Sequence, residues 1–115
     1  MTTHALKASE FNDVLNSHPL ILIDFWAKWC GPCKGFAKVM KTVSMDYPDV
    51  YFASVDVEEE RELAEEFAVR SVPFIMLLRD RTVVYAESGA LPEASVRELL
   101  DQAKNLTAEQ LQDKQ

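Results

Sequence analysis

The chain has 115 residues, 48% of them hydrophobic, enough for a single domain with one packed core. Twelve basic against nineteen acidic side chains leave a formal charge of −7, which argues against general nucleic-acid binding through a concentrated positive surface. No apolar stretch approaches the roughly 20 residues that cross a bilayer, and the opening Met1-Thr2-Thr3-His4-Ala5-Leu6-Lys7 lacks the features of a secretory signal, so a cytoplasmic protein is expected.

In chain order, Ser9 is placed to cap a first helix with Phe11, Val14 and Leu15 on one face. His18-Pro19 ends it, because proline restricts its predecessor and cannot continue a helix. Leu20–Trp26 is apolar almost throughout and reads as a buried central strand. A long helix follows from Cys30 or Gly31 to about Tyr47, with Phe36, Val39, Met40 and Val43 at helical spacing, and Pro48-Asp49 makes a turn. Val50–Val57 is a second strand, and Glu58–Phe67 an acidic helix burying Leu63, Ala64 and Phe67. Pro73–Leu78 and Thr82–Glu87 form a hairpin through Arg79-Asp80-Arg81. Pro92 suits the first turn of a last helix with Val96, Leu99, Leu100 and Ala103 facing inward. Residues 106–115 are polar except Leu106 and Leu111; they add a helical turn from Thr107 or fray. Strands alternating with helices predict an α/β sheet covered on both faces.

Both cysteines lie in Asp24-Phe25-Trp26-Ala27-Lys28-Trp29-Cys30-Gly31-Pro32-Cys33-Lys34. A strand, Cys-X-X-Cys and a helix in succession hold a thiol where unpaired backbone N–H groups favour a negative sulfur, which points to reversible dithiol–disulfide exchange. In a reducing compartment such a pair is a poor structural staple, leaving redox or metal chemistry. Tetrahedral zinc needs four ligands; Cys30, Cys33, His4 and His18 lack finger-like spacing, so no metal is expected. Cys30, at the helix start, is expected to be the more exposed sulfur and the nucleophile, with Lys34 adding attraction. Cys33 is then the resolving sulfur and needs a base. Asp24, flanked by Ile and Phe, is expected to be desolvated, with a raised pKa. Gly31-Pro32 removes bulk and one N–H donor between the sulfurs, and the proline stiffens the ring.

Those eleven residues resemble the active-site signature of the thioredoxin family. Val72-Pro73 resembles the family's cis-proline loop, and Ser88-Gly89-Ala90-Leu91 its later glycine turn, so the resemblance spans roughly residues 5–105. It implies a thioredoxin fold: a mixed sheet of four to five strands flanked by about four helices, in one domain over 1–105 with 106–115 as a polar extension. It implies a monomeric protein-disulfide reductase that cycles against disulfide-containing client proteins. Its electron donor would be a separate flavin reductase of the thioredoxin-reductase type, with no cofactor beyond the Cys30–Cys33 disulfide. In the family the aspartate matching Asp24 exchanges a proton with the second cysteine through water, and the Gly31-Pro32 dipeptide goes with a reducing couple. The resemblance also implies a cis Val72–Pro73 bond that leaves the Val72 backbone free to pair with an extended client, with Gly89 and Ala90 lining the groove's other side. Trp29 is the residue for client contact, and Trp26 reads first as a core aromatic.

Three positions depart from the family pattern. Ser54 stands where a lysine commonly neighbours the buried aspartate, which predicts a higher Asp24 pKa and a steeper loss of activity at low pH. Lys38 replaces a kink-forming proline, and Phe74 replaces the usual threonine, placing a bulky ring near the groove. Lys34, Lys38 and Lys41 read first as an ordinary solvated helix face, and second as a strip steering acidic partners. The alternative to a reductase is a binding module or co-chaperone that uses the same groove with little turnover.

Overall fold

A computed structural model gives the conformation of residues 3–113. Five strands, β1 (His4–Ala5), β2 (Leu20–Trp26), β3 (Tyr51–Asp56), β4 (Phe74–Arg79) and β5 (Thr82–Ser88), form one sheet in the order β1-β3-β2-β4-β5. β1 and β2 run parallel to β3, β4 runs antiparallel to β2, and β5 antiparallel to β4. Five helices accompany them: α1 (Phe11–Ser17), α2 (Gly31–Ser44), α3 (Arg61–Glu66), α4 (Glu93–Lys104) and α5 (Ala108–Asp113).

β2 lies at the centre, and its side-chain alternation divides the core in two. Leu20 and Leu22 pack with Phe36, Met40 and Val43 of α2 and Val96, Leu100 and Ala103 of α4. On the opposite face Ile21, Ile23 and Phe25 pack with Phe11 of α1 and Leu63 of α3. Both faces of the sheet are thus covered, which is why β2 carries no polar residue except Asp24. The same alternation places Asp24 on the α2 face, beneath the helix that begins at the cysteine motif.

Element ends differ from the sequence expectation for local reasons. Ser9 does not cap α1; it sits inside a short 3-10 turn, Ala8–Glu10, where the Lys7 N–H donates to the Glu10 carboxylate at 3.3 Å. α2 stops at Ser44 because the N–H groups of Met45, Asp46 and Tyr47 turn to carbonyls three residues back, tightening the chain ahead of Pro48. The acidic helix starts at Arg61, three residues late, because Asp56 Oδ1 accepts the N–H groups of Glu58 (2.9 Å) and Glu59 (3.4 Å) in a turn. The hairpin loop shrinks to Asp80-Arg81, whose φ angles of 49° and 69° give the two-residue turn that matches strand twist. β1 has no counterpart in the sequence reading, since two residues carry no periodicity.

Ala108–Asp113 form a helix, α5, rather than fraying. Thr107 Oγ1 accepts the Gln110 N–H at 3.1 Å, Gln110 Oε1 accepts the Thr107 N–H at 2.9 Å, and Leu111 is buried. Arg79 donates to the carbonyls of Ala103 (2.7 Å) and Leu106, holding the end of α4 against the hairpin.

Ala68 ends α3 at a φ of 54°, and the Val69 N–H closes back on the Ala64 carbonyl at 2.9 Å. An L-residue with a Cβ is disfavoured there. Ala68→Gly should therefore raise the stability measured by urea unfolding by about 0.5–1 kcal/mol; an unchanged or lower midpoint would contradict the strain.

Candidate active site

Cys30 is the N-cap of α2, and Gly31, Pro32 and Cys33 form its first turn. Proline is tolerated there because its missing N–H would have had no helical partner. Cys30 and Cys33 are joined as a disulfide with their Cα atoms 5.3 Å apart. The Cys33 N–H donates to Cys30 Sγ at 3.1 Å, occupying the position a capping oxygen would take. That bond, with the helix end behind it, favours negative charge on the Cys30 sulfur in the reduced state. The expected contrast in exposure between the cysteines is almost absent: Cys30 is 4% exposed and Cys33 3%. What separates them is the cap geometry.

Ala27, Cys30 and Cys33 form a small apolar cluster of their own, against which Trp26 and Val72 pack. Trp26 is half-buried behind the motif, whereas Trp29, next to Cys30, is 71% exposed. The Val72–Pro73 peptide bond is cis, and the Gly89 N–H donates to the Pro73 carbonyl at 2.8 Å. Gly89 has a φ of 111°, a conformation open to glycine and rarely to other residues. Ser71 and Ser88 join their hydroxyls at 2.7 Å, tying the same two loops together. Gly89 and Ala90 are exposed beside this junction.

Phe74 directly follows Pro73. Its ring is half-buried edge-on to Phe25, centroids 5.8 Å apart, in the core on the α1–α3 face. The cause is strand alternation: Phe74, Met76 and Leu78 point to that face, and Ile75 and Leu77 to the other. Phe74 thus packs against that core while staying partly exposed.

Asp24 is 2% exposed, pairs across the sheet with Ser54 of β3 and Ile75 of β4, and its Oδ1 has no hydrogen-bond partner among the described residues. Burial without a cationic partner disfavours the carboxylate and pushes its pKa up to about 7. Asp24 and Cys33 share the wall of a cavity of about 310 Å³ that lies against Ser54. Lys28, Ala37 and Met40 also line it, a role no sequence signal singled out.

The cationic strip and the histidines lie apart from this centre. Lys34, which lines the cavity, is exposed, as are Lys38 and Lys41 further along α2. His4 and His18 sit on either side of the Tyr51 ring, with centroid distances of 4.5 and 4.3 Å. His4 belongs to β1, and no group of three potential metal ligands occurs among the described residues.

A capped cysteine pair at the C-terminal end of a central strand, joined as a disulfide and backed by a buried carboxylate, defines a thiol–disulfide oxidoreductase. A family model for thioredoxin matches residues 2–102. The thioredoxin of Mycobacterium tuberculosis (strain H37Rv) is 39% identical over 107 residues, covering 91% of this chain and 92% of that protein. Among solved structures, a mutant thioredoxin from Halobacterium salinarum NRC-1 superposes with a TM-score of 0.86 at 30% identity, covering 92% of this chain and 94% of that one. The oxidised thioredoxin of Plasmodium falciparum gives a TM-score of 0.78 at 28% identity, over 88% and 97% of the two chains. The chain belongs to the thioredoxin family, and its Cys30–Cys33 pair carries out dithiol–disulfide exchange.

Proposed function

We propose that the chain works in the reducing direction, as a general protein-disulfide reductase of the cytoplasm re-reduced by a separate flavin-dependent donor. The observation that carries the exchange chemistry is the Cys33 N–H directed at Cys30 Sγ from the first turn of α2, which marks Cys30 as the attacking thiolate. The reducing direction is supported by the likeness to thioredoxins. In the reduced protein the Cys30 thiolate attacks one sulfur of a client disulfide, forming a mixed disulfide and expelling the other client sulfur as a thiolate. Cys33 then passes its proton to the Asp24 carboxylate, directly or through water in the shared cavity, and attacks Cys30. The Cys30–Cys33 bond closes and the second client thiolate leaves. Two electrons move from the cysteine pair to the client, and the donor returns them. No helix among the described residues is long and apolar enough to cross a membrane, and no step calls for a cofactor on this chain.

Client binding is assigned to Trp29, Val72, Pro73, Gly89 and Ala90. Support comes from the exposure of Trp29, the packing of Val72 against the cysteine cluster, and the bond tying Gly89 to Pro73. An extended client segment laid along Val72 would gain main-chain hydrogen bonds as an added strand does. Residues 1–105 serve as the working domain and 106–115 as an appendage anchored by Leu111; residues 1, 2, 114 and 115 lie outside the described part.

Trp29→Ala should raise KM for a protein client such as insulin about 10-fold, the size expected for losing an exposed aromatic anchor. The rate with a small aromatic disulfide should change little. Equal losses on both substrates would place Trp29 in the chemistry instead. Redox titration of the Cys30–Cys33 pair against glutathione tests the direction of flow: a pair that stays oxidised until glutathione is strongly reducing supports a reductant, and one reduced readily by glutathione contradicts it.

A further inference from the structure

The cavity beside Cys33 has a composition that electron exchange does not require. Trp26, Ala37 and Met40 give it apolar walls, and Asp24 is the one acidic residue among those that line it. Its volume of about 310 Å³ is at the low end of the ~300–1,000 Å³ that small-molecule sites occupy. Asp24 is 2% exposed and brings an oxygen, Oδ1, with no partner among the described residues, while Ser54, facing it across β2 and β3, adds a hydroxyl. A buried, unpaired carboxylate at an apolar wall is complementary to a charged N–H donor on a short hydrocarbon stem. Lys28 and Lys34 line the cavity too, but both are exposed, so water solvates their ammonium groups. The formal charge of −7 favours the approach of a small cation to the protein as a whole.

We propose that this cavity is a binding site for a small aliphatic primary amine in its ammonium form, held by Asp24 with its stem against Trp26, Ala37 and Met40. Binding requires the Asp24 anion, which burial makes scarce below about pH 7. Among the described residues the other charged groups lining the cavity are Lys28 and Lys34, and Cys33 does not titrate while it is in the disulfide. Affinity therefore rises with pH through the titration of Asp24 alone, by about 10-fold between pH 6 and pH 8. The proposal does not depend on the direction of electron flow or on Asp24 acting as a base, because it concerns binding to the oxidised protein.

The test is an NMR titration of the oxidised protein with n-butylammonium chloride at pH 6 and pH 8, with sodium butyrate as the anionic control. The expected result is saturable shifts at the amides of Cys33, Ala37 and Ser54, with about 10-fold tighter binding at pH 8. These shifts should be lost in Asp24→Asn, which removes the charge, and in Ser54→Lys, which places a tethered ammonium in the same space. A capped lysine amide distinguishes the source of the amine: tighter binding than butylammonium assigns the site to a protein side chain, weaker binding to a free amine. Absence of saturable shifts at those amides, equal binding of butyrate, or unchanged binding in both variants would overturn the proposal.

Discussion

Cys30→Ser should lose insulin reduction by on the order of 10³-fold or more, because the first sulfur–sulfur bond can no longer form. Cys33→Ser should lose turnover to a similar degree but for a different reason, and the difference is the informative part. Its Cys30 still sits at the N-cap of α2 beside the backbone N–H of residue 33, so attack on the client proceeds and resolution does not. A disulfide-linked adduct of one protein and one client chain should then accumulate, visible by mass spectrometry without reductant and absent for Cys30→Ser. Adducts on Cys33 in the Cys30→Ser variant would reverse the assignment. Substantial turnover by either variant would contradict the two-cysteine mechanism, and an absence of insulin reduction by the parent protein would favour the non-catalytic, client-binding alternative.

The second large effect is on stability. In the unfolded chain Asp24 releases its proton near its ordinary value of 3.8, whereas in the folded protein burial holds the proton until about pH 7. Between these values the folded state binds more protons than the unfolded one, so stability falls as pH rises. The contribution is greatest below pH 4 and is lost as pH climbs through 7. A difference of about three pKa units corresponds to about 4 kcal/mol, the amount by which ionised Asp24 strains the fold at pH 8. Asp24→Asn removes this dependence. The stability of the variant minus that of the parent, from urea unfolding, should increase by about 4 kcal/mol between pH 4 and pH 8. A difference independent of pH would mean that Asp24 is ionised at little cost, and would remove the reason for regarding it as a proton acceptor near neutrality.

Placing these two groups did not need coordinates, because each leaves a mark in the sequence. Asp24 interrupts a run of apolar residues in β2, and a carboxylate in a strand buried on both faces has few ways to reach water. The Cys-Gly-Pro-Cys run follows that strand and opens α2, whose residues Phe36, Met40 and Val43 repeat at helical spacing and are all buried. The sheet order needed more, since β1 pairs with β3 through only two residues and no pattern can be read in so short a segment. Phe74 follows Pro73 and so reads as a groove neighbour, but its ring contact with Phe25 depends on the strand's alternation, which its position after the proline does not reveal. The cavity is only partly legible: Ser54 is marked by resemblance as a neighbour of Asp24, but nothing about Ala37 or Met40 of α2 indicates that they line the same space. The late start of α3 came from a side-chain bond of Asp56 that competes with the helix, a contest that composition does not settle.

The most direct test is competitive alkylation of the fully reduced protein with iodoacetamide at pH 6, reading each cysteine by mass spectrometry against glutathione in the same tube. A helix cap that stabilises the sulfur anion should make Cys30 react roughly 5-fold faster than glutathione, after allowing for the lower intrinsic nucleophilicity of a more acidic thiol, with Cys33 the slower of the pair. A Cys30 that reacts no faster than glutathione, or reacts after Cys33, would contradict the account.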